Sequence, residues 1–347
     1  MLQLRRFGEP ILSGWRCQAE RVLNEIHNRY RYPLTMKDDN NSEDSTGKRA
    51  SSNSADPGTR FVEDIIETER GAERKSEDED YVSVIIKRTD ETVRHPDDAL
   101  EKAIEEGLEQ LNRPLLSLLL SAVGAGLILG FTAMAVAVMA TLTSGLDQPL
   151  LLRLSMAFVY PLGFIVCIMS GTQLFTEHTA TAVYPFLANR TDVKKLVRLW
   201  VIVILGNEIG AIGSAGLLTL ADGVIAAREG YILIAHHLID HSLMTLIVSS
   251  LLAGWLMALG GWLVLVTSPA LSQIICIYIV TFLIGLGGLH HSIAGSVEMF
   301  TVLFISDEYT ALQGLRFIGL ALAGNLIGGS IFVAGFNYSH IRRTQRV

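Results

Sequence analysis

The chain has 347 residues, half of them hydrophobic and 18% charged, with a formal net charge of −7 and a mean hydropathy of +0.37. Charge crowds ahead of Pro114 and is sparse in the long apolar runs behind it, which excludes an ordinary soluble domain and points to an integral membrane protein. The acidic excess lies mainly in 38–109 and says little about a ligand, and Cys17, Cys167 and Cys276 supply neither a disulfide nor a metal framework.

Residues 1–36 form an N-terminal extension in which Ile11, Trp15, Val22 and Ile26 recur at near-helical spacing, so a short amphipathic segment and an arbitrary extension both fit. Arg5, Arg6, Arg16, Glu20 and Arg21 interrupt every short apolar group, leaving no signal-peptide core, and insertion is expected to use the first true span. Residues 37–96 are rich in Asp, Glu, Ser, Asn and Lys and read as a mostly disordered acidic tail, with one candidate ordered piece at 81–86. In 97–112, Asp97 or Asp98 caps a helix with Leu100, Ile104, Leu108 and Leu111 on one face and Glu101, Lys102, Glu105, Glu106 and Glu109 on the others. This segment reads as an amphipathic interfacial helix.

Six apolar runs follow within 113–340, at about 115–141, 152–172, 196–221, 243–267, 270–288 and 313–336, each near the ~20 residues that cross a bilayer. Arg190, Lys194, Lys195 and Arg198 crowd the loop after the second run, and Arg342, Arg343 and Arg346 form a basic end at 341–347. Opposite loops hold only Arg153, Arg228 and Arg316, so the positive-inside rule places both termini in the cytoplasm of a multi-pass protein of the inner or plasma membrane.

Two spans are interrupted by polar, glycine-bearing stretches: Ser170–Thr176 after the second, and Gly285–Glu298, with His290 and His291, after the fifth. Irregular backbone and ionisable groups persist in hydrocarbon only where they are buried in protein or line a cavity. The third and sixth spans share a pattern, Gly206-Asn207-Glu208-Ile209-Gly210-Ala211 and Gly324-Asn325-Leu326-Ile327-Gly328-Gly329. Three spans followed by three related spans give two halves of opposite topology, the layout of inverted-repeat transporters and channels. Gly126 and Gly130, Gly206 and Gly210, and Gly324 and Gly328 are small-xxx-small pairs for close helix packing. Asn207 and Asn325 are placed to bond backbone freed at the broken helix of each half.

The ordered set of motifs resembles the formate/nitrite transporter family over about 97–340. Tyr160-Pro161-Leu162-Gly163-Phe164 is similar to that family's F-P-x-G-L, and Gly171-Thr172-Gln173-Leu174-Phe175-Thr176 to its G-x-[ED]-L-F-T loop. His291-Ser292-Ile293-Ala294 matches its central H-[SV]-x-A, and Gly206-Asn207 and Gly324-Asn325 match its G-N pairs. The resemblance implies an all-α, aquaporin-like protomer of six transmembrane helices with broken second and fifth helices. It further implies a homopentamer with one pore per protomer that passes small monovalent anions or their acids. The chain departs from the pattern at His290, where Glu is common, at Gly295, and at Gly254 and Ala258 of the fourth span. The lysine expected before that span has no clear counterpart; Leu238 falls at its place, beside His236, His237 and His241. These departures mark a divergent member.

The substrate pathway is expected to involve His291, Thr176, Phe164, Tyr160, Asn207, Asn325 and His290. An anion entering a low-dielectric pore loses its hydration at a large cost that a neutral acid avoids. A histidine at the midpoint, with an ordinary pKa of about 6.5, carries a proton or a hydrogen bond to the passing species, and burial favours the neutral ring. Thr176 offers a hydroxyl to the imidazole or the solute, and half-helix N-termini at both breaks add positive dipole ends. Tyr160 and Phe164 fit an apolar constriction or plain packing, Glu208 a structural pair or a proton site, and His291 also fits a structural bond between helices.

A channel for neutral solutes such as water, glycerol or undissociated acids is the alternative. A membrane-embedded enzyme or metal site would need His236, His237, His241, His290 and His291 to converge with an acidic partner. The first three lie near an outer loop and the last two follow a different span, so convergence is not expected. No HExxH, GxSxG or phosphate loop occurs. The expected partners are the anion or its acid, protons and the lipid bilayer; no cofactor, metal or nucleic acid is expected.

Overall fold

The computed structural model describes residues 96–344, and these are helical, with no strand among them. The extension, the acidic tail up to His95 and residues 345–347 lie outside the described residues, and so do the expectations made for them. A first helix, α1 (Pro96–Asn112), precedes α2 (Leu115–Ser144), α3 (Pro149–Val159), α4 (Pro161–Met169), α5 (Phe175–Leu187) and α6 (Val193–Ile225). The second half repeats the plan with α7 (Arg228–Ile239), α8 (Leu243–Val266), α9 (Ala270–Gly287), α10 (Ser292–Ile305) and α11 (Ala311–Ile327). A π-helical stretch (Gly328–Gly335) and α12 (Phe336–Thr344) complete the last span.

Six helical runs are long and apolar enough to cross a membrane, matching the six expected spans. Their outward faces carry bare hydrocarbon: Leu220 and Val224 are 86% and 92% exposed, which suits contact with lipid and not with water. Local chemistry sets the ends. Asp192 accepts from Lys195 N at 2.8 Å to start α6, Ser242 caps α8 through Thr245 N, and Thr310 with Gln313 makes a capping box on α11. Pro161 separates α3 from α4, but Tyr160 keeps helical dihedrals, so the two form one span interrupted at the proline.

The second and fifth spans are broken, as expected. After α4 the chain turns through Gly171, at φ +68°, and restarts as α5; after α9 it turns through Gly288, at φ +60°, and restarts as α10. Both positions need the left-handed region that glycine occupies without strain. The half-helices α5 and α10 run from N-termini that meet through Thr176 and His291.

Equivalent helices pack by equivalent means in the two halves. Helix α2 lies on α6 where Gly126 and Gly210 touch, and α8 lies on α11 where Gly254 meets the backbone of Asn325 and Gly328 that of Leu251. A Cβ at Gly254 would overlap Asn325 Cα, so the departure from the family pattern at this position leaves room for a backbone contact.

Two readings of the sequence change. The segment 97–112 does not simply lie on a membrane surface: α1 buries Leu100, Ile104, Gly107 and Leu111, with Gly107 against Thr181 and Pro185 of α5. Glu101 ties it to Arg342 at 3.0 Å and Arg190 at 3.4 Å. The loop between the third and fourth spans is largely helix α7, packed on α2 and α10, with Gly230 against the Ala137 carbonyl.

Replacing Gly254 by valine is expected to lower stability by about 2–3 kcal/mol through overpacking, read as the thermal unfolding midpoint in detergent. Gly319→Val, where nothing lies within 4 Å of an added Cβ, should move the midpoint by under about 0.5 kcal/mol equivalent. Equal shifts would refute the packing assignment.

Candidate functional site

At each break one asparagine amide holds the backbone. Asn207 Oδ1 accepts from Phe175 N at 2.9 Å, while its Nδ2 donates to the carbonyls of Gln173 at 2.9 Å and Ala122 at 2.8 Å. Asn325 does the same: Oδ1 accepts from Ser292 N at 2.8 Å, and Nδ2 donates to His290 at 3.1 Å and Ser250 at 2.6 Å. Both side chains are fully buried. This correspondence equates Gln173 with His290 and Phe175 with Ser292, so the pseudo-equivalent of His291 is Leu174, and both are the N-cap residues of their half-helices.

His291 therefore stands at the start of α10, where its Nδ1 accepts from Ala294 N at 3.1 Å. An acceptor Nδ1 places the proton of the neutral ring on Nε2, which meets Thr176 Oγ1 at 2.6 Å. The imidazole donates and the hydroxyl accepts, leaving the threonine hydrogen free to point elsewhere. Phe164 sets its ring edge-on to the imidazole at 4.9 Å, and Tyr160 lies 5.1 Å from Phe164. Phe164 and Thr176 are fully buried and His291 is 2% exposed, so this contact is dry.

Two cavities lie near it. The first is bounded by Tyr160, His237, Gly288, His291 and Glu298, with an otherwise apolar wall. The second lies along α5 and is bounded by Lys102, Glu106, Glu177, His178 and Gln273. The first thus adjoins the half-helix that His291 caps, and the second adjoins the half-helix that carries Thr176.

Of the residues singled out in the sequence, His291 and Tyr160 line the first cavity, while Thr176 and Phe164 abut His291. Asn207 and Asn325 bond backbone and line neither cavity. His290 turns away from the cavity, with Nδ1 at 2.7 Å from Ser249 Oγ and its ring 5.9 Å from Phe317. Glu208 pairs with a hydroxyl of the other half: Ser296 Oγ donates to its Oε1 at 3.0 Å, in place of an asparagine or backbone donor.

The sequence reading missed Glu298 and His237. Glu298 follows His291 by two helical turns and so shares its face of α10, a signal present in the spacing. His237 reaches the cavity only because α7 folds over α10; its Nε2 donates to the Gly288 carbonyl at 2.8 Å. Burial is the chief cause that lowers the His237 pKa below the ordinary histidine value; the Gly288 bond opposes it, and His241 and Arg153 add to it. Arg153 Nε donates to Leu286 O at 2.6 Å and satisfies a carbonyl at the end of α9.

One expectation is overturned here. His237 and His241 do converge with His290, their ligand-capable nitrogens all within 4.8 Å of one another, because the segment before the fourth span is a helix docked beside the break. His236 stays apart, held by Glu308 at 3.0 Å, Asp240 at 3.1 Å and Tyr309 at 2.7 Å.

The profile of the family described as formate/nitrite transporter matches residues 97–339. The chain belongs to that family. It is 31% identical over 245 residues to the inner membrane protein YfdC of Escherichia coli strain K12, covering 69% of this chain and 76% of that protein. A solved FNT family ion channel superposes with a TM-score of 0.60 at 20% identity, covering 70% of this chain and 98% of its own. A pentameric formate channel with formate bound superposes with a TM-score of 0.57 at 20% identity, covering 66% and 97%. This formate/nitrite transporter family member therefore shares the fold of those channels.

Asn325→Ala and Asn207→Ala each strip three bonds from buried backbone and side-chain groups, at about 1–3 kcal/mol per group left unpaired. Each variant is expected to be destabilised by roughly 3 kcal/mol in thermal unfolding. Asn337→Ala, which loses one 3.3 Å bond to Tyr184, should cost under about 1 kcal/mol. A central asparagine variant as stable as Asn337→Ala would refute the bracing role.

Proposed function

We propose that this family member passes small monovalent anions such as formate or nitrite across the membrane, moving them through the dry centre as their neutral acids. The observation that carries this reading is the pair at the centre of the fold, where the neutral His291 ring points its one N–H at Thr176, with one cavity against His291 and another along the half-helix that carries Thr176. A weak-acid anion reaching this point meets hydrogen-bond donors and two half-helix N-termini, which favour negative charge. It loses its water against Tyr160 and Phe164. A proton drawn from water on the entry side removes the charge that hydrocarbon penalises, while the His291 ring donates a hydrogen bond and keeps its own Nε2–H; the acid continues past the centre and returns that proton to water on the far side.

Homopentameric assembly, an inner-membrane location and cytoplasmic termini complete the reading. The first is supported by the likeness to a pentameric channel, the second by the relation to an inner membrane protein, and the third by the distribution of basic residues. One observation favours a second reading: the carboxyl group of Glu298 lines the first cavity beside His291. As the neutral acid it both donates and accepts hydrogen bonds in an otherwise apolar wall, which suits a channel for neutral solutes such as water, glycerol or undissociated acids.

The two readings separate in proteoliposomes loaded for uptake of labelled formate and nitrite at pH 5.5 and 7.5. Uptake is expected to be faster at pH 5.5, where more of the anion meets an available proton, and to fall about tenfold or more in His291→Ala, in line with loss of a hydrogen bond to a charged species. Thr176→Val should fall in the same direction. Wild type moving neither anion faster than empty liposomes, while passing water or glycerol, would replace the anion reading by the neutral-solute one.

A further inference from the structure

We propose that His237, His241 and His290 form a site for one divalent transition-metal ion, and that occupancy pins α7 to the break before α10 and slows passage through the adjoining cavity. The three rings come from two elements distant in sequence, and every pair of centroids is 5.4 Å apart. His237 and His290 are stacked at 9°, while His241 stands edge-on to both. Three imidazoles with nitrogens within 4.8 Å are a donor set suited to zinc, copper or nickel rather than to magnesium or calcium, which take oxygen ligands. In a tetrahedral zinc site the nitrogens stand roughly 3.3 Å apart at Zn–N distances of about 2.0–2.1 Å. Closing from 4.8 Å brings the nitrogens about 1.5 Å nearer one another, a shift on the scale of side-chain rotation.

The hydrogen bonds around the cluster prepare it for this. His237 donates Nε2–H to the Gly288 carbonyl, which leaves the Nδ1 lone pair free, the arrangement in which a backbone acceptor fixes the tautomer of a ligating histidine. For His290, Nδ1–H can donate to Ser249 Oγ at 2.7 Å, and Nε2 then exchanges its longer 3.2 Å contact with the His237 carbonyl for the metal. His241 makes no side-chain hydrogen bond among the described residues and meets only the other two rings. The cluster adjoins the pathway on two sides, since His237 lines the first cavity and His290 precedes His291. A metal bridging these elements therefore restrains the wall through which solute enters. The inference is independent of which solute passes.

The test uses the full chain without a polyhistidine tag, stripped with EDTA and titrated with Zn²⁺ by calorimetry, with bound zinc counted by elemental analysis after gel filtration. Wild type is expected to hold about one zinc ion per chain, and His241→Ala and His237→Gln to bind at least about tenfold more weakly. In proteoliposomes, zinc should slow wild-type flux reversibly with EDTA and leave His241→Ala flux unchanged relative to its own metal-free rate. The flux arm uses whichever of formate, nitrite, water or glycerol the wild type passes, so failure of the anion reading does not affect it. Absence of saturable binding, or equal affinity in wild type and both variants, overturns the site. Stoichiometric binding with unchanged wild-type flux overturns the gate.

Discussion

A helix interrupted inside hydrocarbon leaves backbone groups that no water can reach, and each must find a partner within the protein. Here one buried amide at each break meets that demand. Asn207 and Asn325 bond the chain on both sides of their gaps and also bond a carbonyl of a neighbouring helix, so each break is anchored to the packed framework of its half. The half-helices keep their N-termini at the centre only because these six bonds hold. Close contacts at Gly126, Gly210, Gly254 and Gly328 bring the helices carrying the asparagines within reach.

The site follows from that frame. With both N-termini fixed against each other, the N-cap position of α10 falls opposite the first turn of α5, and His291 and Thr176 meet at 2.6 Å. The two halves share bracing but not chemistry, since the residue matching His291 is Leu174. A symmetric scaffold thus carries one polar centre, with a mostly apolar cavity beside α10 and a charged one, walled partly by α1, beside α5.

Much of this was legible in the residues. Span number follows from hydropathy, the inverted halves from the repeated G-N-x-I-G pattern, and the breaks from glycine beside histidine or threonine. The bonding role of Asn207 and Asn325 followed from a simple requirement, that freed backbone inside a membrane needs a donor and an acceptor. What stayed hidden depends on tertiary placement. The burial of α1 on α5 depends on Gly107 meeting Thr181, a contact that helical periodicity does not encode. The convergence of His237 and His241 with His290 depends on the segment before the fourth span folding as a helix and docking beside the break. Linear distance and span boundaries argued against that meeting.

The way His291 caps α10 limits what its ring can relay. A histidine relays protons along a water chain by taking one at one ring nitrogen and releasing another from the opposite one. Here Nδ1 is engaged by the Ala294 amide hydrogen and cannot take a proton from water without giving up the helix cap. The ring is open at one edge only, so it offers a hydrogen bond at Nε2 and no through-route for a bare proton.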